Sequence, residues 1–282
     1  MNGAAARIAA PPEARDEPAE SLVGPGAAIL FSMGCPGLGA ANEDTAAVLR
    51  IDARRAALIV ADGLGGRPGG ESASKTVVRT VEAHLRRIRG RDSVRTAILD
   101  ALDEANRAII SLGIGAGTTV AIAEIEEDRI RGYHVGDSAI LAVGQRGRVK
   151  LRTLCHAPTA YAVESGLLDE AEALHHADRH LVSNVVGDPG MRIEIGSWVR
   201  LSERDTLLLA TDGVFDNLHP HEIVKAIRTG SLSEAGRRLA RASLQRMSRP
   251  ARGAPSKPDD LTFILYRAEA VAAASRALRT CA

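Results

Sequence analysis

Two Asp-Gly pairs occur in the 282-residue sequence, Asp62-Gly63 and Asp212-Gly213. Each closes an apolar run, AALIVA before Asp62 and TLLLAT before Asp212. Asp-Gly is a favoured turn dipeptide, but neither run alternates with polar residues. Each therefore reads as a strand buried on both faces that ends in a carboxylate. Further acids fall at strand ends or turns: Glu43 and Asp44 in ANEDTAAV, Asp137 in HVGDSAIL, Asp216 in DGVFD, Asp259 and Asp260 in KPDDLTFIL. Carboxylates gathered in one place repel one another unless a cation neutralises them. Hard divalent ions such as Mg²⁺ and Mn²⁺ prefer oxygen ligands, keep several waters and use few carboxylates each. Acids spread over five segments thus suit a cluster of two or three ions. Two ions about 4 Å apart can clamp a water, lower its pKa and aim it at phosphorus. Glycine beside each Asp lets a backbone carbonyl approach an ion.

Such acids need a frame. Strand-like runs recur from Ala27 onward: AAILFSM, TAAVLRID, AALIVAD, TTVAIAEIE, RIRGYHVGD, AILAVGQ and RVKLRTL. Helical spacing interrupts them over about Gly70 to Arg89, where Val77, Val78, Val81 and Leu85 share a face, and over Ser93 to Leu112, with Ile98, Leu102, Ala105 and Ile109. Helices followed by close-set strands do not alternate as in a parallel wound sheet. They predict an α+β fold of antiparallel sheets with helices outside. Residues 157–180 are a polar insertion expected to form a flap. The stretch SEAGRRLARASLQRMSR is a basic amphipathic helix with a solvated face. Residues 1–24 mix Pro, Ala and charge without period and read as a disordered tail. Residues 269–282 read as a C-terminal tail, leaving one domain over 25–268.

Aromatic residues make up 2% of the chain, so the core must be built from Ala, Leu, Ile and Val. With 36 basic and 35 acidic residues the net charge is +1, which gives no bulk attraction to nucleic acid or to an anionic membrane. No apolar run approaches the roughly 20 residues of a spanning helix, and the N-terminus lacks an apolar signal core. Cys35, Cys155 and Cys281 form no Cys-x-x-Cys pair, which predicts a reducing, cytoplasmic setting. The glycine-rich GCPGLG and GIGAGTT lack the Lys-Ser/Thr of a phosphate loop and read as turns. His176 and His180 have i, i+4 spacing without the Glu of a zinc-protease helix. Cys155 and His156 are neighbours, and neighbours in a strand point apart.

In this order, NED, VADGLGGRPGGESAS, GTTVAIAEI, GYHVGDSAILAV, LATDGVFDNL and DDLTFIL resemble the metal-dependent protein phosphatase family of protein phosphatase 2C (PPM) type, in its bacterial serine/threonine branch. The resemblance runs from about Gly37 to Arg267. It implies a sandwich of two antiparallel β-sheets flanked by α-helices, in four layers αββα. It implies hydrolysis of phosphoserine and phosphothreonine by a metal-activated water, at two core Mn²⁺ or Mg²⁺ ions and a weaker third. The partners it implies are phosphorylated proteins, substrates of a serine/threonine kinase, met by a monomer. Asp62 would bridge the core ions and Gly63 would offer its carbonyl. Glu43 would hold a metal-bound water, with Asp44 supporting the shell. Asp212 and Asp259 would complete that shell, and Asp137 and Asp216 would hold the third ion with Asp212.

The chain departs from the family pattern in places. Gly39 stands where the family has a phosphate-binding Arg, Ala139 follows Gly-Asp-Ser in place of Arg, and Cys155 precedes His156 in place of Asp. Leu64 stands where eukaryotic members carry a His. Arg67, on the loop after Asp62, is the expected substitute for the missing phosphate ligand. The alternative reading is a catalytically weak or regulatory phosphoprotein-binding protein that keeps the fold.

Overall fold

Strand β5 (Arg55–Asp62) divides its side chains between two apolar layers. Ala57, Ile59 and Ala61 enter one cluster, while Ala56, Leu58 and Val60 enter another. A strand covered on both faces needs no alternation, which is why its sequence is apolar throughout. The protein, described by a computed structural model, is defined for residues 7–9, 19–37, 39, 41–169, 172, 173, 176, 178 and 181–268.

Five more strands pair with β5 directly or through neighbours: β1 (Arg7–Ala9), β4 (Asp44–Arg50), β6 (Val120–Glu126), β7 (Arg129–Val135) and β10 (Glu194–Ile195). The order is β1-β4-β5-β6-β7-β10, with β11 (Val199–Arg200) also on β7. A second sheet runs β2-β3-β13-β12-β8-β9. Its strands are β2 (Ala19–Val23), β3 (Gly26–Met33), β8 (Ala139–Val143), β9 (Val149–Arg152), β12 (Thr206–Ala210) and β13 (Leu261–Ala268). Every pairing is antiparallel.

The inner faces meet through Ala46, Val48, Leu58 and Val60 from one sheet and Leu30, Leu207, Leu209 and Ile264 from the other. Helices α1 (Gly70–Arg87) and α2 (Val94–Ser111) cover the outer face of the first sheet through Val77, Val81, Ile98 and Leu102. Ser93 caps α2 by accepting from the Thr96 N–H at 3.2 Å. In the second half of the chain, α3 (Pro158–Glu164) lies after β9, and the short α4 (Asp212–Phe215) follows β12. Helices α5 (Pro220–Ile227) and α6 (Leu232–Ser248) cover the second sheet, with Ile223, Ile227 and Leu239 against Ile29, Phe31 and Phe263. Each such side chain contributes on the order of 1.5–3 kcal/mol on burial. The result is the four-layer αββα sandwich. The basic helix expected near 233–249 is α6, which turns its apolar side inward.

The N-terminal reading needs correction. Residues 7–9 and 19–23 are strands, not tail: β1 adds an edge to β4 and β2 an edge to β3. Val23 is buried between the sheets. Backbone pairing at a sheet edge asks little of side-chain pattern, so a Pro- and charge-bearing composition conceals it. The C-terminal tail lies outside the described residues. The expected flap begins with α3, whose Tyr161 is exposed, as is Leu167 just beyond it. Residues 170, 171, 174, 175, 177, 179 and 180 lie outside the described residues. Among the described residues, no helix is long and apolar enough to cross a membrane.

Candidate metal centre

Antiparallel pairing sets the start of one strand beside the end of its neighbour, and the acids sit at such junctions. Asp44 and Asp62 are direct cross-strand partners on β4 and β5. Like charges placed opposite each other destabilise a ladder. The Asp62 carbonyl accepts from Thr118 Oγ1 at 2.6 Å and from the Thr119 N–H at 2.8 Å, which fixes its backbone. Asp44 is buried, and its Oδ2 accepts from Thr211 Oγ1 at 2.9 Å. Burial, then the charges of Asp44, Asp212, Asp137 and Asp259, hold the Asp62 pKa well above the usual carboxylate range. Burial and Asp260 do the same to Asp44.

The second sheet supplies the facing acids. Asp212 opens α4, and the Asp216 N–H donates to its carbonyl at 2.7 Å. Asp259 and Asp260 lead into β13, and burial followed by Asp212 raises the Asp259 pKa. Asp137 follows Gly136, whose φ is +100° and where a Cβ would stand 2.6 Å from the Thr119 side chain, so only glycine suits that turn. Burial, then Asp212 and Asp216, push Asp137 up to about 8.

Glu43 lies at the N-terminus of α1 and accepts a backbone hydrogen bond from Glu71. Burial nonetheless raises its pKa. A Cβ on Gly70 would come within 2.7 Å of Glu43 Oε1, and one on Gly63 within 2.4 Å of the Gly70 carbonyl oxygen. These two glycines let the helix end close on the acids.

Sequence reasoning missed three participants. Asp260 appeared only as one acid of several, yet its carboxylate accepts from the Cys35 N–H at 2.8 Å and the Glu43 N–H at 2.7 Å. It thereby ties the Glu43 loop to β13. Lys257 carries its ammonium in among Asp212, Asp216 and Asp259. Burial opposes that charge, but the three acids overcome it and raise the lysine pKa. Asn217 holds the Lys257 backbone through its side-chain amide. No spacing rule flags most of these contacts, because apart from Lys257 and Asp259 the partners lie forty residues or more apart.

The site fits a hard divalent ion. Asp44 Oδ1 and Asp212 Oδ1 are buried with no hydrogen-bond partner among the described residues. The donors are all oxygens, and the crowded carboxylates need positive charge.

Other expected residues separate from this group. Arg67 is exposed and makes no ion pair with a described residue. Gly39 is exposed with φ +61° and nothing within 4 Å of a built Cβ. The Cys155 thiol contacts the Asp137 carbonyl at 3.4 Å, and burial pushes it up to about 12, which removes it as a nucleophile at neutral pH. His180 lies outside the described residues, and His176 sits 3.9 Å from Asp178.

His134, His156 and Glu194 have ligand-like proximity. His156 Nδ1, however, accepts from the Gly136 N–H at 3.1 Å and from Asn184 Nδ2 at 2.8 Å. Its proton is therefore on Nε2, 3.1 Å from Glu194 Oε2. His134 Nε2 likewise donates to the Leu154 carbonyl at 2.9 Å. With both Nε2 atoms protonated, neither of these nitrogens has a lone pair to offer a metal beside Glu194.

Residues 37–248 match the family model described as Protein phosphatase 2C. The chain is 26% identical over 202 residues to the serine/threonine phosphatase stp of Listeria innocua, covering 67% of this chain and 79% of that protein. The serine/threonine phosphatase of S. agalactiae superposes with a TM-score of 0.75 at 26% identity, over 86% of this chain and 99% of that one. The catalytic domain of the phosphatase PstP, in complex with two manganese ions, shares the fold with a TM-score of 0.67 at 23% identity, over 85% of this chain and 97% of that one.

Proposed function

Since the chain belongs to the protein phosphatase 2C family, we propose that it is a manganese- or magnesium-dependent serine/threonine protein phosphatase that hydrolyses phosphoserine and phosphothreonine. The observation that carries this reading is the opposition of Asp44 and Asp62 on neighbouring strands beside two buried carboxylate oxygens that lack partners. Such a group is costly by itself and favourable around cations.

In this reading Asp62, the Gly63 carbonyl, Asp212 and Asp259 would hold the core ions, with Asp44 supporting them. Asp137 and Asp216 would, with Asp212, hold a third cation. When bound, two such ions supply a water of lowered pKa and neutralise charge on the phosphoryl group. The chain's own residues do the positioning. Thr118 and Thr119 hold the Asp62 backbone, Thr211 holds Asp44, and the N-terminus of α1 holds Glu43 in reach of a water. Arg67, exposed and without an ion pair among the described residues, is the side chain assigned to the substrate phosphate. A bidentate guanidinium contact matches a phosphate dianion.

Phosphorylated proteins, themselves products of a serine/threonine kinase, are the partners in this reading. A reducing, cytoplasmic setting for a monomer belongs to the same reading, and the unpaired Cys35 and Cys155 suit the reducing part of it. Phosphate release from a phosphothreonine peptide, with Mn²⁺ and then with EDTA, tests the function. Release that requires Mn²⁺ is the expected result. Binding of the phosphopeptide without release would favour the regulatory alternative, which the exposed Gly39 suggests.

A further inference from the structure

Lys257 is built into the acidic group. Its Nζ contacts Asp212 Oδ2 directly, Asp259 Oδ2 at 2.8 Å and Asp216 Oδ2 at 3.5 Å. The backbone beneath it is clamped from both sides. The Lys257 N–H donates to Asn217 Oδ1 at 2.8 Å, and Asn217 Nδ2 donates to the Lys257 carbonyl at 2.8 Å. The same Nδ2 also donates to the Gly213 carbonyl at 3.0 Å. Asn217 is fully buried and follows Asp216 in sequence, so one carboxamide locks the lysine against the turn that carries Asp212 and Asp216. Pro258 restrains the next step of the chain, which leads to Asp259.

Asp212 is divided between two tasks. Its Oδ2 meets Lys257, while its Oδ1 is buried without a partner among the described residues. A core ion can take Oδ1 without evicting the ammonium from Oδ2. The side of the centre between Asp212 and Asp216 is different, because there the cation is already part of the chain. A divalent ion placed on it must displace the ammonium or share the same carboxylates with a like charge a few ångströms away.

We propose that the Lys257 ammonium is the resident cation among Asp212, Asp259 and Asp216, standing in this chain for a third metal ion, so that two exchangeable ions complete the centre. The inference rests on reading the acids as a metal centre. It predicts that this side of the site stays neutralised at any metal concentration.

Manganese stoichiometry tests it, by calorimetric titration and by counting free Mn²⁺ with electron paramagnetic resonance. The proteins compared are the wild type, Lys257→Met and Lys257→Arg, each shown folded by thermal melting. The wild type is expected to hold two ions. Lys257→Met should hold one more, at least about tenfold tighter than any further ion on the wild type. Lys257→Arg should keep the wild-type count, since it keeps the charge. Equal counts in wild type and Lys257→Met, with the core ions bound, overturn the inference alone. No Mn²⁺ on either folded protein overturns the metal-centre reading as well. Should Lys257→Met fail to fold, anomalous scattering from Mn²⁺-soaked wild-type crystals decides. Two peaks with Nζ at Asp212 and Asp216 support the inference, and a peak between those acids removes it.

Discussion

Two buried acidic sites on the first sheet follow opposite rules. On β6, Glu124 stands directly across from Arg131 of β7. Its Oε2 accepts from Arg131 Nη2 at 2.8 Å, from Nε at 3.0 Å and from the Tyr133 hydroxyl at 2.5 Å. The guanidinium also lies 4.4 Å from the ring centroid of Trp198. Burial and the neighbouring Glu124 raise the tyrosine pKa and keep its proton in that bond. On β4 and β5, Asp44 faces Asp62, another acid, and Asp44 keeps a buried oxygen with no partner. Both sites set a carboxylate directly across an antiparallel ladder from a charged side chain. One is closed by the chain itself, and the other, in the proposed reading, takes cations from outside. Burial of an acid is thus a poor sign of function, whereas burial without a matching donor is a good one.

The contrast can be broken most sharply at Asp62. Asp62→Asn should lower Mn²⁺-dependent phosphopeptide hydrolysis at least about a hundredfold. The same change removes one of two opposed charges, so the melting temperature in EDTA should rise by about 1–3 °C. A fall in that temperature would mean that Asp44 and Asp62 are matched within the fold after all. Glu124→Gln should behave in reverse. It leaves the Arg131 charge without its partner and should cost about 2 kcal/mol in urea unfolding. Activity per folded molecule and Mn²⁺ affinity should be those of the wild type, and a change in either would tie Glu124 to the centre.

Two smaller effects sharpen the comparison on the cationic side. Arg131 is spoken for, while Arg67 is not. Arg67→Ala should raise KM for a phosphopeptide about tenfold and leave stability and metal affinity unchanged. An unaltered KM would leave the phosphate to the centre alone. Gly39→Arg is the weakest change. No described residue lies within 4 Å of a Cβ at Gly39, but its φ of +61° makes any side chain there cost about 1 kcal/mol, to be read from urea midpoints. No loss of stability would show that the loop relaxes to a negative φ.

Much of this was legible in the residues. The apolar runs before Asp62 and Asp212 announced strands covered on both faces, and the clusters on either side of β5 are those two coverings. The helices over Val77 to Leu85 and Ile98 to Ile109 followed from spacing, because an amphipathic face must repeat with the helical turn. The edge strands β1 and β2 did not show, since an edge is held by backbone groups that every residue carries. The acids of the centre were each visible and, through the resemblance, carried expected metal roles, Asp260 excepted.

The sequence by itself determined which carboxylates reach the ends of core strands, because an uninterrupted apolar run and a following glycine are local requirements. Only the tertiary structure decided which of them face one another. Asp44 opposes Asp62 through the register of β4 on β5, and Lys257 meets Asp212 from 45 residues away through the clamp of Asn217. Those meetings depend on how two sheets and their loops pack. Packing is a property of the whole chain that no local pattern encodes.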